Sequence, residues 1–258
     1  MKFYIGTSGF GYKAWKGKFY PQKISPKEML RFYSERFSAV EINNTFYHMP
    51  GEGVLASWAE QVPPDFIFAI KAPRIITHFK QLKNVDAETG YLFRSLSVLE
   101  KKRGPVLFQF PKSFQADRPA LEGFLDLIRG PALCAFEFRG PSGFDAAILD
   151  LLRKRGCSLC IDDRDENPAS EIIPTAPWGY LRLRRSDYTD ADLSRWAERI
   201  LSEKWEQVFV FFKHEDEAKG PEMAMRFQKL VDSRAKRLSS KSSPRVAVSS
   251  GKQKRQGL

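Results

Sequence analysis

The sequence predicts an α/β protein: a single (β/α)8 TIM-type barrel over residues 1–236, followed by a disordered basic C-terminal tail over 237–258. Three observations lead there. Eight short β-rich runs alternate with helix-sized segments along the chain, and eight strand-plus-crossover units are what a closed parallel barrel needs. A doubly wound open sheet uses the same alternation, but no run here reads as a solvated edge strand. No linker or internal repeat divides the first 236 residues, and 258 residues suffice to bury a full core as one domain.

The strand runs are Phe3–Thr7, Ala39–Asn43, Phe66–Lys71, Val106–Phe110, Leu133–Phe138, Ser158–Asp162, Gly179–Leu183 and Gln207–Phe212. Between them, helical spacing covers Pro26–Phe37, Gly53–Val62, Asp86–Arg103, Arg118–Ile128, Phe144–Arg155, Asp190–Lys204 and Glu217–Arg234. Ser25-Pro26-Lys27-Glu28 has the pattern of a capping box with proline at the first helical position. Asp117 and Asp190 open helices, and Gly104 and Gly130, each followed by proline, close them. The sixth crossover is the exception. Pro168, Pro174 and Pro177 leave it room for a short or irregular helix only.

Composition limits the class of protein. Apolar residues make up 42% and charged residues 28%, as in ordinary soluble domains. The longest strand-like apolar runs, Phe66–Ile70 and Val208–Phe212, hold five residues, far from the ~18 that span a bilayer. Met1-Lys2-Phe3-Tyr4-Ile5 enters a strand pattern at once, which fits no signal peptide, so a cytoplasmic location and no membrane partner are expected. Cys157 and Cys160 have C-x-x-C spacing, but with Cys134 as the only other cysteine they cannot close a structural zinc site. Buried, reduced thiols are the expectation. The net charge of +11 is concentrated: Arg237, Lys241, Arg245, Lys252, Lys254 and Arg255 supply six charges with no acid among them. That serine-rich segment has little to bury and reads as disordered. It offers nucleic acid a counterion-release partner, whereas the body before it is only mildly basic.

Side chains of a barrel strand alternate between the helices and the interior. Read with that period, the strands place polar groups near their carboxyl ends. Glu41 and Asn43 share a face of the second strand, Lys71 ends the third, and Gln109 sits in the fourth. Glu137 and Arg139 share a face of the fifth, Asp162 closes the sixth, Arg182 lies in the seventh, and Lys213 follows the eighth. Seven of these are charged, and each charge taken from water costs several kcal/mol unless paired and hydrogen-bonded. A pocket open to a ligand explains the set better than core filling. Glu41, Glu137 and Asp162 are the candidate catalytic groups; Lys71, Arg139, Arg182 and Lys213 are the candidate anion holders. The loop Gly6-Thr7-Ser8-Gly9-Phe10-Gly11-Tyr12 adds Thr7, Ser8 and Tyr12, and Asn43, Tyr47, His78 and Gln109 complete the substrate-binding candidates. Tyr12, Trp15 and Tyr47 are able to stack on a ring. His48, His78 and His214 are the only histidines; no cofactor is expected, and a single divalent metal is the alternative.

Several stretches are similar to one known family: Ile5-Gly6-Thr7-Ser8-Gly9, Trp15-Lys16-Gly17-Lys18-Phe19-Tyr20-Pro21, Val40-Glu41-Ile42-Asn43-Asn44-Thr45-Phe46-Tyr47, Thr77-His78, Gln109-Phe110-Pro111 and Phe136-Glu137-Phe138-Arg139. They resemble the YecE-like family, domain of unknown function 72, from the amino terminus to about Phe227. The resemblance implies a TIM-type barrel and no settled activity. By fold analogy with endonuclease IV and sugar isomerases it points to nucleic acid or a sugar phosphate. This chain departs from the family where it reads Tyr180-Leu181-Arg182-Leu183-Arg184-Arg185 rather than Tyr-x-Arg followed by His-Gly. It departs again at Lys213-His214-Glu215-Asp216, where other members often carry asparagines.

Three functions compete on these grounds. The first is an enzyme acting on a small anionic or phosphorylated substrate, with Glu41 or Glu137 as general acid or base. The second is nucleic-acid binding or endonuclease IV-like processing, assisted by the tail. The third is a non-catalytic ligand sensor using the same pocket.

Overall fold

The structure, a computed structural model, describes residues 1–130, 132–169 and 171–242, with side chains through Arg234. Eight parallel strands curl into a barrel: β1 (Lys2–Thr7), β2 (Ala39–Ile42), β3 (Ile67–Lys71), β4 (Arg103–Phe110), β5 (Cys134–Phe138), β6 (Ser158–Asp163), β7 (Trp178–Leu183) and β8 (Gln207–Phe212). Each predicted strand is present, its bounds moved by at most three residues. Pairing runs β1-β8-β7-β6-β5-β4-β3-β2, which is the order of a barrel and not of a doubly wound sheet.

The remaining seam, between β1 and β2, is closed largely by side chains. Ser8 and Glu41 form a single parallel bridge, and the Gly9 N–H donates to the Glu41 carbonyl at 2.7 Å. Deeper in the seam stands the Tyr33 hydroxyl, carried by α1 (Met29–Ser34). It accepts from the Thr7 N–H at 2.7 Å and donates to the Ala39 carbonyl at 3.1 Å. The Ile5 N–H donates to Ser38 Oγ at 3.1 Å. Glycine is required at position 6, because a Cβ there would lie 1.9 Å from the Ala39 carbonyl oxygen.

The barrel interior is filled by size complementarity. Tyr4, Tyr180, Phe209 and Phe211 crowd in from β1, β7 and β8, while Ala39, Ala69 and Ala135 make room on β2, β3 and β5. Tyr4 stacks on Phe209 at 4.7 Å. The opposite faces of the strands (Val40, Ile42, Phe68, Ile70, Val106 and Phe108 among them) pack under the helices.

Around the barrel lie α2 (Glu52–Gln61), α3 (Asp86–Leu96), α4 (Arg118–Leu127), α5 (Ala146–Arg155), α6 (Asp190–Leu201) and α7 (Lys219–Ser242). Four local expectations need correction. The Ser25–Glu28 pairing forms, with Ser25 Oγ donating to Glu28 at 2.6 Å, but it stabilises a turn ahead of α1, which begins only at Met29. Gly104 is no helix cap; it sits inside β4, where a side chain would strike Ile67. The cap of α6 is Thr189 with Asp192, a full capping box, one residue before the expected start. The sixth crossover forms no helix among its described residues. It is tied instead to the start of β6 by Thr175, whose hydroxyl receives the Leu159 N–H and donates to the Cys157 carbonyl, both at 2.7 Å.

Cys134, Cys157 and Cys160 are buried and free. Spaced by three on extended chain, Cys157 and Cys160 join opposite faces of the wall, so the C-x-x-C pair does not converge. α7 continues past residue 236 to Ser242, since neither glycine nor proline occurs between Pro221 and Pro244. The rest of the expected disordered tail, with Arg245, Lys252, Lys254 and Arg255, lies outside the described residues. No helix among the described residues is long and apolar enough to cross a membrane.

Candidate functional site

The period of two places the polar residues as the strand pattern requires. Tyr4, Ala39, Ala69, Leu107, Ala135, Cys160, Tyr180 and Phe209 point inward. One alternate step along each strand toward its carboxyl end lie Glu41, Lys71, Gln109, Glu137, Asp162 and Arg182, and a step further Asn43, Arg139, Arg184 and Arg164. The mouth of the barrel is therefore polar by construction.

At its floor Arg182 joins two carboxylates. Its Nη1 donates to Glu137 Oε2 at 2.6 Å, and its Nη2 and Nε donate to Glu41 Oε1 at 3.0 and 3.2 Å. Ser8 Oγ (2.6 Å), Asn43 Nδ2 (2.9 Å) and the Tyr180 hydroxyl (2.7 Å) complete the shell of Glu41. Gln109 Nε2 at 2.6 Å and Arg139 Nε at 3.3 Å complete that of Glu137. All three charges are almost wholly buried: Glu41 is 0%, Glu137 1% and Arg182 2% exposed. Burial works against both carboxylates, but Arg182 and the surrounding donors outweigh it and hold them below the ordinary glutamate range. Such groups stay ionised and are saturated with hydrogen bonds. The geometry makes Glu41 and Glu137 the frame of the site and leaves them poorly suited to the acid–base role expected of them.

Asp162 is different. Burial and the nearby Glu137 push its pKa up to about 6, against the pull of Arg184, Arg182 and Arg164. Arg164 Nε lies 2.7 Å from Oδ2 and Arg184 Nη1 3.4 Å from Oδ1. Lys71 differs again. Burial, helped by Arg182, lowers it to about 8, with Glu137 and Glu41 opposing and Arg139 adding a little. Its Nζ sits 3.9 Å from the centre of the Phe46 ring. His78 meets the same ring edge-on at 4.9 Å, and burial together with Lys71, Arg139 and Arg74 lowers its pKa.

Two cavities open on this surface and share Arg164. One, of about 290 Å³, passes through the wall between β5 and β6 and is lined by Arg139, Phe144, Cys160, Asp162, Arg164 and Asn167, with others. It exists because β5 and β6 pair only at Ala135–Ser158 and Phe136–Leu159 and then diverge. The other, of about 350 Å³, lies over the ends of β7 and β8, among Arg164, Arg184, Lys213 and His214 with Glu166, Glu215 and Asp216.

The remaining predicted residues separate. Thr7 faces α1 rather than the mouth, 1% exposed and bound to Gly9 and Tyr33, so it serves the seam. Tyr12 and Asn43 line a third cavity of about 230 Å³ beside the first loop. Trp15 is buried and donates to the Glu215 carbonyl at 2.9 Å, which makes it wall. Tyr47 is 71% exposed under Arg74 and does not converge with the rest. Lys213 stays at the rim, 3.5 Å from Glu215. Sequence reasoning overlooked Tyr180, Arg164 and Arg184 as parts of the site. The alternation Tyr180-Leu181-Arg182-Leu183-Arg184 carried the signal for two of them. Among the described residues no three of His, Cys, Asp and Glu converge as a metal site would need.

The family model described as "Protein of unknown function DUF72" matches residues 4–248. The chain is 34% identical over 116 residues to UPF0759 protein YecE of Escherichia coli, covering 45% of this chain and 43% of that protein. It is 28% identical over 150 residues to UPF0759 protein YunF of Bacillus subtilis, covering 55% and 52%. Each match thus spans about half the curated relative. Among solved structures, a DUF72 family protein of Thermotoga maritima superposes with a TM-score of 0.77 at 27% identity, over 90% of this chain and all (100%) of that one. One from Enterococcus faecalis gives 0.72 at 19% identity, over 89% and 95%.

Proposed function

This chain belongs to the family of proteins of unknown function DUF72, and on that footing we propose that its barrel mouth binds a small anionic or phosphorylated substrate and acts on it as a cytoplasmic enzyme. One observation carries the reading: the mouth holds more cation than its acids consume. Arg182 is shared by Glu41 and Glu137. Together with it, Lys71, Arg139, Arg164 and Arg184 make five cations against three inward-facing carboxylates among the described residues, Glu41, Glu137 and Asp162, with Arg139 also touching Glu137 and Arg164 the rim residue Glu166. A partly enclosed, low-dielectric site with excess positive charge favours an anion. The position over the last strands is where TIM barrels commonly hold phosphate.

The test is calorimetric titration of sulfate and of inorganic phosphate into the full chain. Binding should weaken about tenfold or more in Arg139→Ala and in Arg184→Ala, the loss of one charge-assisted contact each, with little change in melting temperature. Absence of binding at millimolar anion, or binding indifferent to both variants, overturns the reading.

A further inference from the structure

Among the described residues, Lys71 is the inward lysine of this barrel without an ordinary partner. Elsewhere in the fold, lysines drawn toward the protein are satisfied. Lys16 Nζ donates to the Ile24 carbonyl at 2.7 Å, Lys80 pairs with Glu88 at 2.6 Å, and Lys102 donates to the Ala59 and Val62 carbonyls. Among the described residues Lys71 Nζ has neither a hydrogen-bond acceptor nor a carboxylate within ion-pair reach, and only the face of Phe46 stands against it. Lys71 is half-buried, and drawing an unpartnered ammonium partly out of water beside other cations favours the free amine. The groups acting on it come from each neighbouring element: Arg182 on β7, Glu137 and Arg139 on and after β5, and Glu41 on β2. His78, on the short helical turn Ile75–Phe79 after β3, feels Lys71 in turn.

We propose that Lys71 Nζ, resting on Phe46 beside His78 at the barrel mouth, is a nucleophile that forms an iminium with the carbonyl of an aldehyde or ketone carrying a phosphate or carboxylate group. The proposal rests on the anion-site reading for the charged end of that molecule. The neutral amine attacks the carbonyl carbon; the C–N bond forms as the carbonyl π pair moves to oxygen. The oxygen leaves as water after taking two protons, one released by the nitrogen and one from solvent, so no oxidant or reductant enters. In this step His78, which shares the Phe46 ring with Lys71, relays the nitrogen's proton. Its Nδ1 lies 2.9 Å from the Thr77 hydroxyl, which leaves Nε2 for that traffic, and its low basicity keeps the ring neutral. With its pKa near 8, about a tenth of Lys71 is free amine at pH 7, against fewer than about one in a thousand for an ordinary lysine. Desolvation beside other cations is the usual way such a lysine is activated.

The test incubates the full chain with dihydroxyacetone phosphate, or in a second arm with pyruvate, adds sodium borohydride and maps the reduced adduct by peptide mass spectrometry. Lys71 should be modified about tenfold or more above the exposed Lys18 and Lys27, inorganic phosphate should protect it in the first arm, and Lys71→Arg should lose the adduct. The two arms separate phosphate from carboxylate substrates. Trace acetylation across pH gives a second readout, in which Lys71 reactivity should titrate near 8. If Lys71 labels no faster than Lys18 in every arm while sulfate still binds, the nucleophile is refuted and the anion site stands. If sulfate does not bind the wild type at all, the anion site has failed; labelling at Lys71 then decides the nucleophile separately.

Discussion

Replacing Arg182 by methionine isolates what holds the floor of the site together. The side chain is of similar length and apolar, so Arg182→Met fills the space while leaving Glu41 and Glu137 without the cation they share. Four donor contacts vanish: 2.6 Å to Glu137, 3.0 and 3.2 Å to Glu41, and 3.2 Å to Asn43 Oδ1. Removing one partner of a buried pair generally costs about 3–5 kcal/mol. The cost has a ceiling set by protonation, because a stranded carboxylate escapes by taking a proton. Starting from an unfolded pKa of about 4.3, neutralising one glutamate at pH 7 costs about 4 kcal/mol, and at pH 5 about 1 kcal/mol. For both carboxylates together this protonation cost comes to about 7 kcal/mol at pH 7 and about 2 kcal/mol at pH 5. Against a typical stability of about 5–15 kcal/mol, that brings the variant close to unfolding at neutral pH.

The pH dependence reverses with the substitution. In the wild type the folded pKa values of Glu41 and Glu137 are depressed. Their stabilisation is present above the unfolded value and is lost as pH falls through the folded ones. In Arg182→Met the main counterweight to burial is gone and only the remaining donors and Arg139 oppose it, so burial raises both values; stability is then greatest at low pH and is lost as pH rises through the raised values. Urea unfolding at pH 5, 6 and 7 should show the gap between wild type and variant widening with pH by several kcal/mol. Adding Glu41→Gln and Glu137→Gln to Arg182→Met should remove most of that slope. A gap below about 1 kcal/mol, or one constant from pH 5 to 7, refutes the shared-cation account.

Two further outcomes follow from the same geometry. Asp162 should switch anion affinity: its pKa near 6 means that the wild type binds sulfate several-fold more tightly at pH 5 than at pH 7, whereas Asp162→Asn binds with little pH dependence. Calorimetry at the two pH values decides it, and an equal slope in both proteins sinks the idea. Tyr33→Phe should cost about 1–3 kcal/mol by orphaning the Thr7 N–H and the Ala39 carbonyl inside the seam; a urea midpoint unchanged from wild type would show that other groups close the barrel.

How far the site was legible in the chain follows from how local each interaction is. The alternation of Glu41 with Asn43, of Glu137 with Arg139 and of Arg182 with Arg184 is a property of single strands, and a period of two exposes it at once. Which of those charges are spent on one another is not. Arg182 and Glu41 are 141 residues apart, and their contact depends on barrel closure and on the stagger that brings β7 across to β2. The sequence therefore shows a ring of seven charges but not that three of them are locked in a floor. The same holds for closure itself. Strand count predicts a barrel, yet the seam relies on a hydroxyl of Tyr33, 26 residues from Thr7, on a helix whose spacing reads as ordinary packing. The gap between β5 and β6 leaves no trace at all, because Phe138 and Ile161 look like any strand residues and only the register shows that pairing stops before them. These blind spots have a common physical origin: the strands specify which side chains face inward, and the stagger between strands decides which of those find each other. Lys71 is the telling case. Its position was plain from β3 alone, but its significance lies in the partner it lacks, and a missing partner becomes visible only when every neighbouring strand is in place.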